Sequence, residues 1–485
     1  MRRRIHRNFP FLVVTMALLL MFAPYGGAEQ VVYHRVAPKI SVPFDPNRVT
    51  VLHRSDEMFT VEYPHHRGYV AGPRVTPFGD KILFMPGLST FSFASVYLQL
   101  EKTREMKIPG DVSGAPPEIK GVSGPYYAFD RQMRSIAFAC DVKPGGPKQM
   151  AEREICVVRS EGTGLRRLTR LLLKEEGAYS AEEPAVSEDG SLVVYRRSYA
   201  GYLGIVRADG TGLRVLVRAD GLSPVVLTRR GVLYMKGGQV WLVSLDGTDA
   251  RQVTRERGEI GRKSLTADAE GRRIAYIVRT DGRGQVVKVL EAERGTPVMT
   301  LEGVVARGDR PLKLSGDGRR LLYVGQYRGK MGIYVFDLST KRVFEVSAGV
   351  TPGEAADLNE TGEVVVFTLG TGDVPLALAF LPDETPPSLW VDAPRPGSTV
   401  SGETVSVSFR YQDRAVVSGV DQEGVKVLIN GRDVSDRVDR GVGRARGQLG
   451  KELLREGENV LQLSVRDRAG NEARQVVRFQ FKPKR

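Results

Sequence analysis

All five histidines of this 485-residue chain, His6, His34, His53, His65 and His66, lie in its first 66 residues. A His-dependent catalytic triad elsewhere would need that segment to fold into it, and no G-x-S-x-G phrase offers a nucleophile on a sharp turn. His53, His65 and His66 make a poor metal set, because neighbours such as His65 and His66 point to opposite sides of an extended chain. Carboxylates are better placed. Glu188, Asp189, Asp209, Asp268 and Asp317 fall in glycine-containing turns, where they suit turn capping, calcium ligation or a catalytic carboxylate pair. Asp413, Asp421 and Asp467 are a second calcium candidate nearer the C-terminus. Turn chemistry accounts for the first group, and neither a catalytic residue nor a metal site is assigned.

Basic residues carry the stronger pattern. Arg229-Arg230, Arg272-Arg273 and Arg319-Arg320 recur beside equivalent turns, with Lys81 and Arg134 at the corresponding earlier places. Arg166-Arg167, Arg214, Arg251 and Lys341-Arg342 follow a second set of turns. If both sets emerge on one side, the chain carries a basic face able to hold carboxylates or phosphates with planar guanidinium groups. The remaining chemistry is redox: Cys140 and Cys156, the only cysteines, are expected to form a disulfide across a loop containing Pro144-Gly145-Gly146-Pro147.

The elements that position these residues are short strands in a repeat. Glu183 to Leu216 shows one unit: an apolar run, the Ser187-Glu188-Asp189-Gly190 turn, a β-branched run reaching Tyr195, a strand with Leu203 and Ile205, and an Asp209-Gly210-Thr211-Gly212 turn. Aligning on the aromatic of the second strand gives Phe84, Phe138, Tyr195, Tyr234, Tyr276, Tyr323 and Phe367. The later spacings of 39 to 47 residues fit a four-stranded blade. The predicted fold is therefore all-β, a β-propeller over residues 72–381. Seven blades fit the anchors best, with six or eight as alternatives. Residues 29–71 are expected to supply a ring-closing strand near Val49 to Leu52.

On Ser187-Glu188-Asp189-Gly190, Ser315-Gly316-Asp317-Gly318, Asp209-Gly210-Thr211 and Leu168-Thr169, the chain resembles the TolB-type, WD-repeat-like propellers of exported bacterial proteins. It departs from TolB in having a short Pro-rich segment where TolB carries an α/β domain, so TolB's partners do not transfer. Residues 382–387 read as a Pro-rich linker, and 388–485 as an Ig-like β-sandwich. Alternating runs such as Thr404 to Tyr411 and the Asn430-Gly431 hairpin signal support the sandwich. Phrases such as Asp467-Arg468-Ala469-Gly470-Asn471 resemble bacterial Ig-like modules, which serve as spacers or adhesion units.

Residues 1–28 read as a signal peptide: Arg2, Arg3, Arg4 and Arg7 precede the apolar run Phe11 to Phe22, and Gly26-Gly27-Ala28 offers small residues for cleavage. Its removal lowers the formal charge from +14 to +10. No later stretch is long and apolar enough to span a membrane. A basic exported protein favours anionic partners, and export makes nucleic acid a poor one. The expectation is a periplasmic or secreted, non-catalytic binding or scaffold protein without cofactors, with an envelope protein or an anionic glycan or lipid surface as partner. Its rival is a polysaccharide-acting lyase or glycosidase with carboxylates at the propeller's channel mouth.

Overall fold

In six of the repeats a polar side chain opens the first turn and closes it by the same bond. Thr76, Asp130, Ser187, Asp268, Ser315 and Asn359 each accept the backbone N–H of the residue five positions on: Lys81, Ser135, Leu192, Arg273, Arg320 and Val364. Three positions into each turn the backbone enters the left-handed region, at Gly79, Met133, Gly190, Gly271, Gly318 and Gly362. Only Met133 bears a Cβ there. Two demands fall on Gly190: φ is 77°, and an added Cβ would stand 2.9 Å from the Asp130 carboxylate of the preceding blade.

These turns join strands into seven consecutive antiparallel blades. The computed structural model describes residues 32–36, 58–62, 71–87, 90–95, 104–142, 152–169, 180–198, 200–280, 284–308, 310–346, 352–369, 376–384, 386–413, 420–441 and 443–484. The innermost strands of blades 1 to 7 are Ala71–Val75, Ile119–Phe129, Ala181–Val186, Val226–Thr228, Thr266–Ala267, Leu312–Leu314 and Pro352–Leu358. Each touches the next, and Pro352–Leu358 touches Ala71–Val75, which closes the ring. The fold is a seven-bladed β-propeller.

Ring closure uses the N-terminal segment, though not the stretch expected. Met58–Glu62 pairs antiparallel with Leu376–Phe380 of blade 7, and Val32–Val36 adds a fifth strand outside it. Val49 to Leu52 lies outside the described residues. The outermost strand of blade 5, Thr296–Ala306, runs on to pair with Arg320–Tyr327 of blade 6, so these two blades share one nine-stranded sheet.

Each aromatic anchor is the fourth residue of its second strand rather than its end, and all seven are fully buried between neighbouring blades. Gly204 admits the ring of Tyr195, whose hydroxyl would stand 2.4 Å from a Cβ at that position. Cys140 and Cys156 are joined by a disulfide between adjacent strands of blade 2, their Cα atoms 5.8 Å apart. With a sequence separation of 16, loop closure of about that size contributes about 3 kcal/mol in the chain-entropy account.

Beyond the propeller, two sheets pack face to face. Ser388–Ala393, Thr404–Gln412, Arg444–Gly450 and Val438–Gly441 form one; Thr399–Gly402, Glu472–Pro483, Gly457–Arg466, Lys426–Ile429 and Arg432–Asp433 form the other. Inward residues such as Val407, Phe409, Leu463 and Phe479 alternate with exposed ones and share one core. The connecting segment is tied at both ends. Arg320 donates to the Pro382 carbonyl, Arg319 and Arg342 pair with Glu384, and Asn471 donates to the Asp383 carbonyl. Among the described residues no helix is long and apolar enough to cross a membrane.

Candidate functional site

The first hairpin turns of the blades gather at one end of the ring and are stitched together by backbone. Glu360 N–H donates to Pro77, Asp317 to Glu360, Ala269 to Gly316, Arg229 to Ala269, and Arg131 to Glu188. Side chains bridge the two remaining joints. Arg229 pairs with Glu188 between blades 3 and 4, and the Arg131 guanidinium stacks over Phe78 between blades 1 and 2.

The six arginines expected to form a basic face lie at this end, and each meets a carboxylate. Arg229 pairs with Glu188 and Glu270, which hold its proton more firmly than usual. Arg230 lies 3.8 Å from Glu293, Arg272 lies 3.9 Å from Asp268, and Arg273 lies 2.9 Å from Glu291. Arg319 pairs with Asp337 and Glu384. Arg320 corrects the expectation of an exposed pair. Only 1% of it is accessible, and its guanidinium bonds the carbonyls of Gly362 and Pro382. As the first residue of its strand it turns inward under the linker. The turn carboxylates are likewise engaged: Asp189 accepts from Ser187 and Ser191, Asp209 from Thr211, and Asp317 from Ser315 and Arg319.

The innermost strands enclose an axial cavity of about 400 Å³. Its wall brings together residues that the sequence places far apart. Lys313 of blade 6 lies 3.5 Å from Asp357 of blade 7, and Arg74 of blade 1 comes close enough to both Lys313 and Arg310 to repel them. Arg310 leaves blade 6 and crosses the bore, its guanidinium 3.8 Å from Glu183 of blade 3 and over the Tyr126 ring of blade 2. At the stitched end Arg131 spans between Glu188 and Glu360. Both ends of the bore are thus crossed by an arginine.

Charge in this cavity is unevenly matched. Arg196 lies 3.1 Å from Glu183 and also pairs with Glu182, so Glu183 serves Arg196 and Arg310 together. Asp357 serves Lys313 and accepts the Val75 N–H. Arg74 has no ion-pair partner among the described residues. Burial lowers the Arg310 pKa, with Glu183 opposing and Arg74 adding to the shift. For Lys313 the attraction of Asp357 is outweighed by burial and by the Arg74 and Arg310 charges, so its pKa also falls. Glu183 holds a φ of 50° at a bulge in its strand, which makes it the one non-glycine residue of the described innermost strands in the left-handed region. Such conformations cost about 1–3 kcal/mol and persist where surrounding structure enforces them.

Glu183, Arg262 and Arg310 line the cavity near the turns that enter the first strands, a place the repeat marks in the sequence. Arg74, Lys313, Asp357 and Tyr126 carry no such mark, because nothing local tells which face of an innermost strand lines an axis. His53, His65 and His66 lie outside the described residues. A ring of seven antiparallel blades around a charged axial cavity defines the class, a seven-bladed propeller with an appended two-sheet sandwich.

No family model matches the chain, and no curated protein matches it. Among solved structures it is similar to an oligogalacturonate lyase from Vibrio parahaemolyticus, at 13% identity and a TM-score of 0.49 over 73% of this chain and 97% of that one. An oligogalacturonate lyase in complex with manganese gives 13% identity and 0.47 over the same shares. TolB from Acinetobacter baumannii gives 14% and 0.34, over 65% of this chain and 64% of that one.

Proposed function

We propose that this chain is an exported, non-catalytic recognition scaffold whose propeller takes an anionic group of its partner at the mouth of the axial cavity. In this reading residues 1–28 are a removed signal peptide, the propeller is of the TolB type, and the sandwich is an Ig-like spacer or second contact. The observation that carries the reading is the convergence of Arg74, Arg310 and Lys313 on one axial cavity where Glu183 and Asp357 are already engaged. Three partly exposed cations that repel one another are relieved by an incoming carboxylate, sulfate or phosphate. A walled bore strengthens that attraction relative to an open surface.

The ion-paired arginine turns support a structural role at the other end. Exposed pairs of this kind contribute about 0–1 kcal/mol each, and their cations are already neutralised. The acidic partner therefore docks at the axis, as an acidic glycan or as an acidic segment of an envelope protein. The rival reading, a polysaccharide-acting enzyme, would use Glu183 and Asp357 as its carboxylates. Incubating the mature protein with an acidic polysaccharide, and measuring both retention and the appearance of new chain ends, separates the two. Retention without cleavage is expected; cleavage that disappears in Glu183→Gln or Asp357→Asn would overturn the proposal in favour of the enzyme.

A further inference from the structure

Three carboxylates meet where the propeller joins the sandwich. Asp383 comes from the connecting segment, Asp413 follows the strand Thr404–Gln412 of one sheet, and Asp467 follows Gly457–Arg466 of the other. One oxygen from each lies within 4.8 Å of the other two. Asp467 and Asp383 are 1% and 7% exposed, and Asp413 is half-buried. Like charges at this separation, withdrawn from water, destabilise a fold unless a cation or proton intervenes.

A second observation points the same way. Glu363, at the start of the second strand of blade 7, is 1% exposed, and neither of its carboxylate oxygens has a hydrogen-bond donor. It lies against the Asp383 carboxylate, with Arg320 the nearby cation. Arg320 already donates to two backbone carbonyls. The joint therefore holds four acid groups, and the buried Glu363 carboxyl presses on that of Asp383.

We propose that Asp383, Asp413 and Asp467 bind a divalent cation of the calcium class, which locks the sandwich onto the end of the propeller. The donor set is oxygen alone, and residues 388–485 contain neither histidine nor cysteine. Such hard donors select calcium or magnesium over zinc or copper. Ligand oxygens about 2.4 Å from a common calcium stand at most about 4.8 Å apart, and calcium tolerates irregular carboxylate cages that magnesium does not. Asn471 supplies the supporting shell. Its backbone N–H and side-chain amide hold both Asp467 oxygens, and the same amide nitrogen holds the Asp383 carbonyl, which fixes two ligands relative to each other. One ion would tie the linker to both sheets. The sequence alone groups Asp413 and Asp467 with Asp421. The Asp421 carboxylate instead caps a turn through the Glu423 N–H, and Asp383 takes its place.

The test is calorimetric titration of the chelator-stripped mature protein with calcium chloride alone and, separately, magnesium chloride, together with thermal unfolding in each. Saturable calcium binding in or below the millimolar range of extracellular modules, with a rise in Tm and a weaker magnesium response, is expected. Asp413→Asn should weaken calcium binding at least about tenfold, since it removes one charged ligand, whereas Asp421→Asn should leave it unchanged. Absence of both heat and Tm shift in the wild-type protein up to about 10 mM calcium, well above that range, would overturn the proposal. That result would mean that a proton between Glu363 and Asp383 relieves the crowding instead. Equal binding by wild type and a folded Asp413→Asn would overturn it too. If Asp413→Asn does not fold, the wild-type titration decides alone.

Discussion

The turn residues that look most like catalytic groups are the ones the fold consumes. Asp130 accepts three backbone N–H groups, from Gln132, Arg134 and Ser135, and Asp268 accepts two. The cap at this position is Thr, Asp, Ser or Asn in different blades, since any short side-chain oxygen reaches the N–H five residues on. That variety hid the rule from a reading keyed to Ser-x-Asp-Gly. Two predictions belong to this scale. Gly190→Ala meets both a left-handed φ and the Asp130 carboxylate, and should destabilise the protein by about 1–3 kcal/mol or more, seen as a lower urea midpoint at unchanged slope. Glu182 is the other case. Burial works against its charge, but hydrogen bonds from Ser180, Arg196 and Ser198, with the Arg196 charge, hold its carboxyl down at about 2. Its folded value lies below the ordinary value of about 4.3 for the unfolded chain. Glu182 therefore stabilises the fold above that ordinary value, and the contribution fades as pH falls toward 2. Glu182→Gln should show a shallower loss of stability between pH 4.5 and 2 than wild type, measured by denaturant unfolding at each pH.

At the scale of elements, the repeat was readable because each second strand buries one aromatic at a fixed place, a signal that survives wide variation elsewhere. Ring closure was readable only as a need. Five residues of alternating pattern, Met58–Glu62, carry no mark that distinguishes them from Val49 to Leu52, and the choice is made by a partner strand more than 300 residues away in sequence. Thr60 pairs with Ala377, so Thr60→Pro removes a ladder donor. It should lower Tm and accelerate amide exchange in Leu376–Phe380 before the other blades; uniform exchange across the ring would contradict a closing role for this strand. The arginine pairs were legible as a pattern and misread in part. Adjacent residues at a strand's start face opposite ways, so Arg319 stays at the turn while Arg320 goes under the linker. The acids that neutralise Arg229, Glu188 and Glu270, lie 41 positions away on either side in neighbouring blades.

At the scale of the molecule, the propeller is asymmetric along its axis. One end is closed by a ring of backbone hydrogen bonds and ion pairs; in the bore, cations from blades 1 and 6 repel one another. Axial placement of Arg74 and Lys313 follows from seven strands converging, which no local pattern records. Attraction of an anionic partner to this cavity should weaken with ionic strength, though less than for an open surface. The most direct measurement compares binding of one acidic polysaccharide by wild type, by Arg310→Gln/Lys313→Gln and by Arg229→Gln/Arg230→Gln, each confirmed folded by its near-UV spectrum. The axial double variant should lose at least about tenfold in affinity, equivalent to about 1.4 kcal/mol, while the turn variant stays within about twofold of wild type, in keeping with its solvent-exposed pairs. Loss confined to the turn variant, with the axial variant unchanged, would contradict recognition at the axis and return the partner to the arginine face.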